Sequence, residues 1–495
     1  MKFPLGVLFF LLTANLSYGQ GYQDALRYSF ISPQGTARFA GTGGSLTPMG
    51  VDITTLHTNP AGIGWNRYNL AEITPGFNFT GSDALLVDDT EGGRVNDAAA
   101  TFTLPSVGLL LAGNTRSVNM STLNFGISLT RIADFNQQLP FDGRTTGSLI
   151  DRYVEDANDR ISDPFGSDLL FQIDPLFEDD KGIFSEFDFD ENIGKTIRRQ
   201  GLYDRRGSMY EVGLGFGGNF KEKVLWGLSI GIPFLSYDEV FDYDEIDDED
   251  QVTRFEDLSF DRNLGNRGTG FNLKAGVIVL PTEKTRVSLA IHTPTFWTVE
   301  ETFSTRLTYN FIEGNTASGG SATSDLATYT YNLRTPWRFM AGVGALIGER
   351  GFISLDADYS DYAGNTVSFD DFAGSDPVTE ATNEDIDALL GSSFGLRGGG
   401  ELNLKPFQVR AGIGYRQVPY ADYIDGEDSG IFSYSAGLGY SRGKFFADMA
   451  AQVEQYSGVE FPYQTFTVPG QTVEYDRSRV SVLLTVGFRG FSSGF

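Results

Sequence analysis

The sequence predicts an all-β fold: a transmembrane antiparallel β-barrel of about fourteen strands, with an N-terminal hatch plugging the lumen. Three observations carry that expectation. First, the C-terminal part alternates strictly between apolar and polar residues. Phe407, Val409, Ala411, Ile413 and Tyr415 alternate with Gln408, Arg410, Gly412 and Gly414, and Val480, Val482, Leu484, Val486 and Phe488 repeat the pattern near the end. A period of two gives each strand one apolar and one polar face. Second, the chain opens on an export signal. Third, its turns are alternately short and long.

Residues 1–19 contain Lys2, an apolar run from Phe3 to Ala14, and Ser17-Tyr18-Gly19 ahead of Gln20. That pattern predicts a signal peptide cleaved near Gly19, and the run is too short to be a membrane-spanning helix. No later stretch is long and apolar enough to span as a helix. An exported chain of alternating strands therefore points to the outer membrane of a Gram-negative bacterium. Its partners there would be outer-membrane lipid, lipopolysaccharide and the barrel-assembly machinery. The formal net charge of −28 argues against nucleic acid, which needs basic patches. With no cysteine, neither a disulfide framework nor a thiolate metal site can form.

The chain divides into a signal (1–19), a hatch (20–67) and a barrel (68–495). The hatch segment is rich in Gly, Thr and Pro and contains Asn59-Pro60-Ala61-Gly62, where proline restricts the residue before it and marks a turn. Fourteen strand candidates follow. Every second connection is tight and basic, as at Lys221 and Lys223, Lys284, and Arg442 and Lys444. The others are long and acidic, with the acidic run Asp238–Asp250 at the head of one of them, 242–266. Short turns at one rim and long loops at the other place the short turns, and both termini, in the periplasm. The largest loop, 135–206, has Leu149, Ile150, Tyr153 and Val154 at helical spacing. Together with Leu169, Leu170, Phe171, Leu176 and Phe177 they are candidates to capture an apolar ligand or to form the loop's own small core. On the strand phase, Arg338, Asp356, Asp358, Arg397, Glu401, Arg410 and Arg416 face the lumen. There they form ion pairs along a solvated wall, anchor the hatch or line a path.

Motifs of other functions fail on context. Gly213-Leu214-Gly215-Phe216-Gly217-Gly218 matches G-x-G-x-x-G but lies inside a strand with no helix behind it. Asp188-Phe189-Asp190-Glu191-Asn192 has calcium-loop spacing, yet Ile193 stands where an EF-hand needs glycine. The two histidines are His57 and His292, and no G-x-S-x-G elbow accompanies either. The sequence predicts no enzyme, no cofactor and no metal.

Ala37-Arg38-Phe39-Ala40-Gly41, followed by Gly50-Val51-Asp52 and Asn59-Pro60-Ala61-Gly62, resembles the N-terminal hatch of the FadL/TodX family of outer-membrane channels for hydrophobic compounds. Thr335-Pro336-Trp337-Arg338-Phe339, Asp356-Ala357-Asp358-Tyr359 and Leu396-Arg397-Gly398-Gly399-Gly400-Glu401 extend the resemblance through the barrel. It implies a fourteen-stranded wall and passive uptake of a hydrophobic small molecule or lipid, such as a long-chain fatty acid. The ligand would move from the loops to a lumen pocket and then sideways into the membrane beside a kinked strand. Asn59, Pro60, Ala61 and Gly62 would brace and gate the hatch, and Gly126 would permit the kink of the third strand. The alternative on the same fold is a partner or shuttle subunit of a type IX secretion system. That branch typically has lysine after Asn-Pro-Ala and tryptophan just before it, where this chain has Gly62 and Thr58.

Overall fold

The computed structural model describes residues 21–490 apart from 91, 116, 174, 181, 315, 370–376, 421–429 and 466–469. The expected signal peptide lies outside the described residues. The wall begins with β1 (Leu70–Leu86), β2 (Arg94–Asn114) and β3 (Met120–Asp134); β4 (Gln137–Thr146) continues β3 after a break. A small hairpin, β5 (Phe177–Asp179) and β6 (Gly182–Phe184), sits in the loop that follows. Next come three very long strands, β7 (Thr196–Phe220), β8 (Val224–Ile246) and β9 (Phe255–Val279). The seventh wall strand is split into β10 (Thr285–His292) and β11 (Phe296–Glu313), and β12 (Thr316–Thr323) folds back on β11. The eighth is split into β13 (Ala327–Arg334) and β14 (Arg338–Leu346). Then β15 (Gly351–Asp361) is followed by β16 (Thr366–Phe369), which pairs with β13. The wall finishes with β17 (Ser392–Leu404), β18 (Phe407–Arg416), β19 (Ile431–Arg442), β20 (Phe445–Glu460) and β21 (Val473–Arg489). β21 pairs with β1 from Leu70↔Arg489 to Leu86↔Val473. That seam closes an antiparallel barrel of fourteen strands.

The apolar face of the alternation points outward. Ile413 is 69% exposed, and Leu355 and Phe102 are each 62% exposed, while their inward neighbours Asp356 and Arg410 are buried. In a soluble sandwich the burial would be reversed, so the belt is the lipid-facing surface. Aromatic residues mark its edges: Phe220, Phe407, Phe445 and Phe488 near the short turns, and Phe77, Phe102, Phe394 and Phe432 near the other rim. No helix among the described residues is long and apolar enough to cross a membrane; strands make the crossing.

Two loop boundaries are corrected. Much of 135–206 is strand, since β4 pairs with β7 from Gln137↔Arg205 to Thr146↔Thr196, which leaves 147–195 as the true loop. Likewise β8 runs on through its acidic residues to Ile246. Above the lipid belt the outer face of a strand meets water, so its residues turn polar and the apolar alternation fades. Asp142 with Arg198 (2.5 Å) and Asp238 with Arg267 (2.7 Å) are such outward cross-strand pairs.

The true loop forms a cap with α3 (Leu149–Asn158) and α4 (Ser167–Ile173). Leu149, Ile150, Tyr153, Leu169 and Leu170 are buried against Phe141, Tyr203, Phe241, Tyr243, Leu258 and Leu307 from the tall strands. A carboxylate holds the cap's first helix. Glu245 accepts from Ser148 Oγ and from the Leu149 N–H at 2.9 Å, which satisfies donors that a helix N-terminus leaves open. Arg199 is fully buried beside Glu245 at 3.4 Å and donates to the Gly147 carbonyl.

Candidate functional site

Inside the barrel the segment 21–67 forms α1 (Gly21–Ser29), α2 (Ala37–Gly41) and two short turns, Ile53–His57 and Pro60–Trp65. Asn59 caps the second turn, accepting the Ala61 N–H at 3.1 Å and donating to the Thr47 carbonyl at 3.2 Å. Ala61 is buried with Leu225 and Ile278 of the wall. The wall makes room for this turn with glycine: a Cβ at Gly276 would overlap the Asn59 side chain, and one at Gly227 would overlap the Pro60 backbone. Gly276→Val should therefore push the Asn59 turn off the wall. The expected readout is faster hydrogen exchange across 55–64 and a drop in stability of about 1–3 kcal/mol, the usual cost of overpacking.

Lumen charges rivet the hatch to the wall. Asp358 pairs with Arg338 (3.1 Å), Arg397 (2.9 Å) and Arg416 (3.1 Å). Arg338 and Arg416 in turn donate to the Ile31 carbonyl of the hatch, at 3.4 and 2.6 Å. Asp356 accepts the Thr47 N–H at 3.0 Å, and Glu401 accepts both Arg38 (2.9 Å) and Arg410 (2.7 Å). The seven residues singled out on strand phase thus fall into an Asp358–arginine cluster, a Glu401–Arg410 pair and Asp356, and four of them bond the hatch directly.

A second rivet was not legible in sequence. His57 Nδ1 lies 2.6 Å from Glu211 Oε1 and its Nε2 lies 2.8 Å from Ser128 Oγ. Lys274 Nζ reaches the same Glu211 oxygen at 2.6 Å. Burial pushes the His57 pKa down, against the pull of Glu211. The imidazole is therefore neutral, donating to Glu211 and accepting from Ser128, while Lys274 balances the carboxylate. The order serine–histidine–carboxylate matches a hydrolase relay, but His57 and Glu211 are each 1% exposed and lie in the contact between hatch and wall.

Above α2 lies a cavity of about 660 Å³. Apolar residues from hatch and wall line part of it: Leu26, Phe30, Phe39, Phe135, Tyr415 and Ile431. The remainder is charged, with Arg27, Arg205, Arg397, Arg416, Arg477 and Arg479 against Asp134, Asp358, Glu454 and Glu460. Five of these arginines pair with carboxylates. Arg477 is the exception among the described residues; it donates to Tyr456 Oη and to the Asn136 carbonyl, both at 2.9 Å, and its Nε is unpartnered. On the hatch side, burial raises the Asp24 pKa, opposed by Arg27.

The cavity reaches the wall at Ala133, Asp134, Phe135 and Gln137, the point where the third wall strand breaks. Below the break β2 and β3 pair from Ser106↔Thr130 to Asn114↔Thr122. Above it, β4 pairs with β7 alone, and β2 residues 94–105 have no ladder partner on that edge among the described residues, although β1 still pairs with them. The wall therefore lacks a backbone ladder between β2 and β4 beside an amphipathic cavity, while at the top the Thr90 N–H still donates to the Arg144 carbonyl at 3.0 Å.

Two solved structures superpose on most of this architecture. A Pseudomonas aeruginosa FadL homologue matches with a TM-score of 0.55 at 11% identity, covering 92% of this chain and 99% of its own. The P. putida toluene transporter TodX matches with a TM-score of 0.50 at 11% identity, covering 93% and 99%. The chain has the FadL/TodX fold. No protein-family model and no curated protein matches its sequence.

Within this FadL/TodX-type barrel, some expected sites shift. The third strand is interrupted, but at Phe135 and Asn136. Gly126 pairs regularly with Leu110 on one side and Gly215 on the other, and its missing Cβ leaves room for Leu56 of the hatch. The proposed capture residues Leu149, Ile150, Tyr153, Leu169 and Leu170 are inside the cap; Val154, Leu176 and Phe177 are partly buried, and only Phe171 is exposed, at 45%. They make a core because the tall strands beside them present aromatic side chains above the lipid belt.

The cap should respond to pH. Asp151 accepts the Ser148 N–H at 2.8 Å, yet burial pushes its pKa up to about 7 from 3.8. A folded-state pKa raised above the unfolded value means that the proton favours the folded cap. Its contribution is complete below about pH 4 and is lost as pH rises through 7. Amide protection in α3, corrected for intrinsic exchange, should fall from pH 4 to pH 8, and Asp151→Asn should flatten that dependence.

Proposed function

We propose that the protein is a passive outer-membrane channel for hydrophobic compounds that carry an acidic head group, such as a long-chain fatty acid. The observation that supports this best is the cavity above the hatch: apolar on one side, rich in arginine on the other, and ending at the break in the third wall strand. Burying an alkyl chain there gains about 25 cal/mol per Å². Arg477, with no carboxylate of its own, takes the head group. Exit runs sideways past the hatch, between the free edge of β2 and β4, into the outer leaflet. A pocket that holds the ligand more weakly than lipid does needs no energy source. At the outer surface, first contact falls to the exposed Phe171 and Ile193, since the other candidate capture residues are wholly or partly buried in the cap.

Native mass spectrometry of the protein, purified from its own outer membrane in mild detergent, tests this reading. The expected result is a small acidic adduct lost on collisional activation. Arg477→Ala should weaken it by about ten- to a hundredfold, the worth of one hydrogen bond to a charged group. A bare barrel accompanied by a stoichiometric protein would overturn the channel and favour a secretion partner.

A further inference from the structure

The rim of short turns is basic, although the chain as a whole has a net charge of −28. Lys221 and Lys223 lie between β7 and β8, Lys284 between β9 and β10, Arg350 between β14 and β15, and Arg442 and Lys444 at the turn from β19 to β20. All are exposed. The carboxylates of these turns do not neutralise them. Glu222 pairs with Arg67 at 2.5 Å and Glu349 lies 3.9 Å from Lys405, so among the described turn residues Glu283 is the carboxylate left over. The acidic run Asp238–Asp250 is at the other rim.

These cations stand just beyond the edge of the lipid belt. Phe220 precedes Lys221, whose ammonium lies 5.2 Å from the ring centroid, and the exposed Phe445 follows Lys444. The exposed Ile347 stands at the entry to the turn that carries Arg350. An aromatic or apolar residue at the interface with Lys or Arg next to it sets the charge at the depth of the lipid phosphates. The backbone fixes that depth. The Lys223, Lys284 and Lys444 carbonyls accept from the Leu280, Leu346 and Arg489 N–H groups at 2.8, 2.7 and 2.7 Å, while their ammonium groups remain in solvent. The turns join strand pairs spread around the closed barrel, from β7–β8 through β9–β10 and β14–β15 to β19–β20. A globular partner would meet such charges on one side only. Lipid meets all of them.

We infer that the rim of short turns is an interaction surface for anionic phospholipid in the periplasmic leaflet, with lysine and arginine on the lipid phosphates. A zwitterionic head group brings its own ammonium, which cancels most of the attraction; an anionic one does not. Each basic residue near an anionic surface is worth about fivefold in binding. The inference needs the outer-membrane barrel and is independent of what the channel carries.

Native mass spectrometry of the protein in dodecyl maltoside, titrated with dioleoyl phosphatidylglycerol or dioleoyl phosphatidylcholine, tests it. The wild type should retain the glycerol lipid at concentrations at least about tenfold lower than the choline lipid. The variant Lys221→Ser/Lys223→Ser/Lys284→Ser/Arg442→Ser/Lys444→Ser should bring the two within about twofold, and Lys→Arg or Arg→Lys at the same positions should keep the preference. Arg206→Ser/Arg267→Ser, which removes two exposed cations above the lipid belt on the other side, should leave it unchanged. Equal retention of both lipids by the wild type would overturn the inference. So would a preference that survives the five serines or falls equally in the Arg206/Arg267 variant. An acidic protein that copurifies with the wild type and is lost from the serine variant, with lipid retention unchanged, would replace lipid by a protein partner. Should the serine variant fail to assemble, salt decides on the wild type. Raising ammonium acetate from about 0.1 M to about 1 M, where exposed charges are screened, should bring retention of the glycerol lipid down to that of the choline lipid; retention independent of salt overturns the inference.

Discussion

Replacing Asp358 by alanine should loosen the hatch more than any other single change in the lumen. Arg338, Arg397 and Arg416 all lose their shared carboxylate, and all three guanidinium groups are largely buried. Removing one partner of a buried ion pair costs about 3–5 kcal/mol, because the remaining charge has no replacement. Two of these arginines also hold the Ile31 carbonyl, so the loss should spread to the hatch while the barrel stays closed. Hydrogen exchange should quicken across 29–47 and remain slow in β17–β21. Asp358→Asn should be milder, since an amide oxygen still accepts from one arginine.

Glu211→Ala should have an effect of similar size at the neighbouring cluster in the lumen. It strands Lys274, which is 3% exposed, and removes the acceptor that orients His57. A loss of about 3–5 kcal/mol follows, seen as a lower temperature for the shift in gel mobility that accompanies barrel unfolding. The double variant Glu211→Leu/Lys274→Met should recover much of that loss, because an apolar pair of similar volume leaves no charge buried. If the single and double variants were equally unstable, the ion pair would be irrelevant and the packing around Gly213 and Ser128 would carry the contact.

The architecture was legible in the sequence wherever lipid dictates the pattern. From β17 to β21 each strand has one face in hydrocarbon, so the alternation is clean and the strand count follows. The signal fails above the belt. In β4 and the upper part of β7, Asp142 and Arg198 face outward to water, so neither face stands out as apolar and the segment looks like loop. The break at Phe135 and Asn136 was hidden for a related reason. No proline or glycine marks it; it is fixed by Asp134, Asn136 and residues hundreds of positions away, such as Arg477 and Arg479. The lumen charges were visible from strand phase, but their division between wall and hatch was not, because phase gives direction and not partner. His57 shows the same limit: sequence could show that a histidine was there, but not that Glu211, Ser128 and Lys274 would meet it.

The hatch precedes β1 in the chain, and β1 is joined to β21 along its whole length. Once that seam is closed, residues 21–67 can reach the lumen only through its open end, and their buried polar contacts form there. Asp358, Glu401 and Glu211 each keep a wall partner without the hatch, in Arg338, Arg410 and Lys274, whereas the Arg38 charge, His57 and the Ile31 carbonyl are satisfied only against the wall. A chain whose hatch fails to seat should therefore close as a barrel and leave those hatch groups unsatisfied.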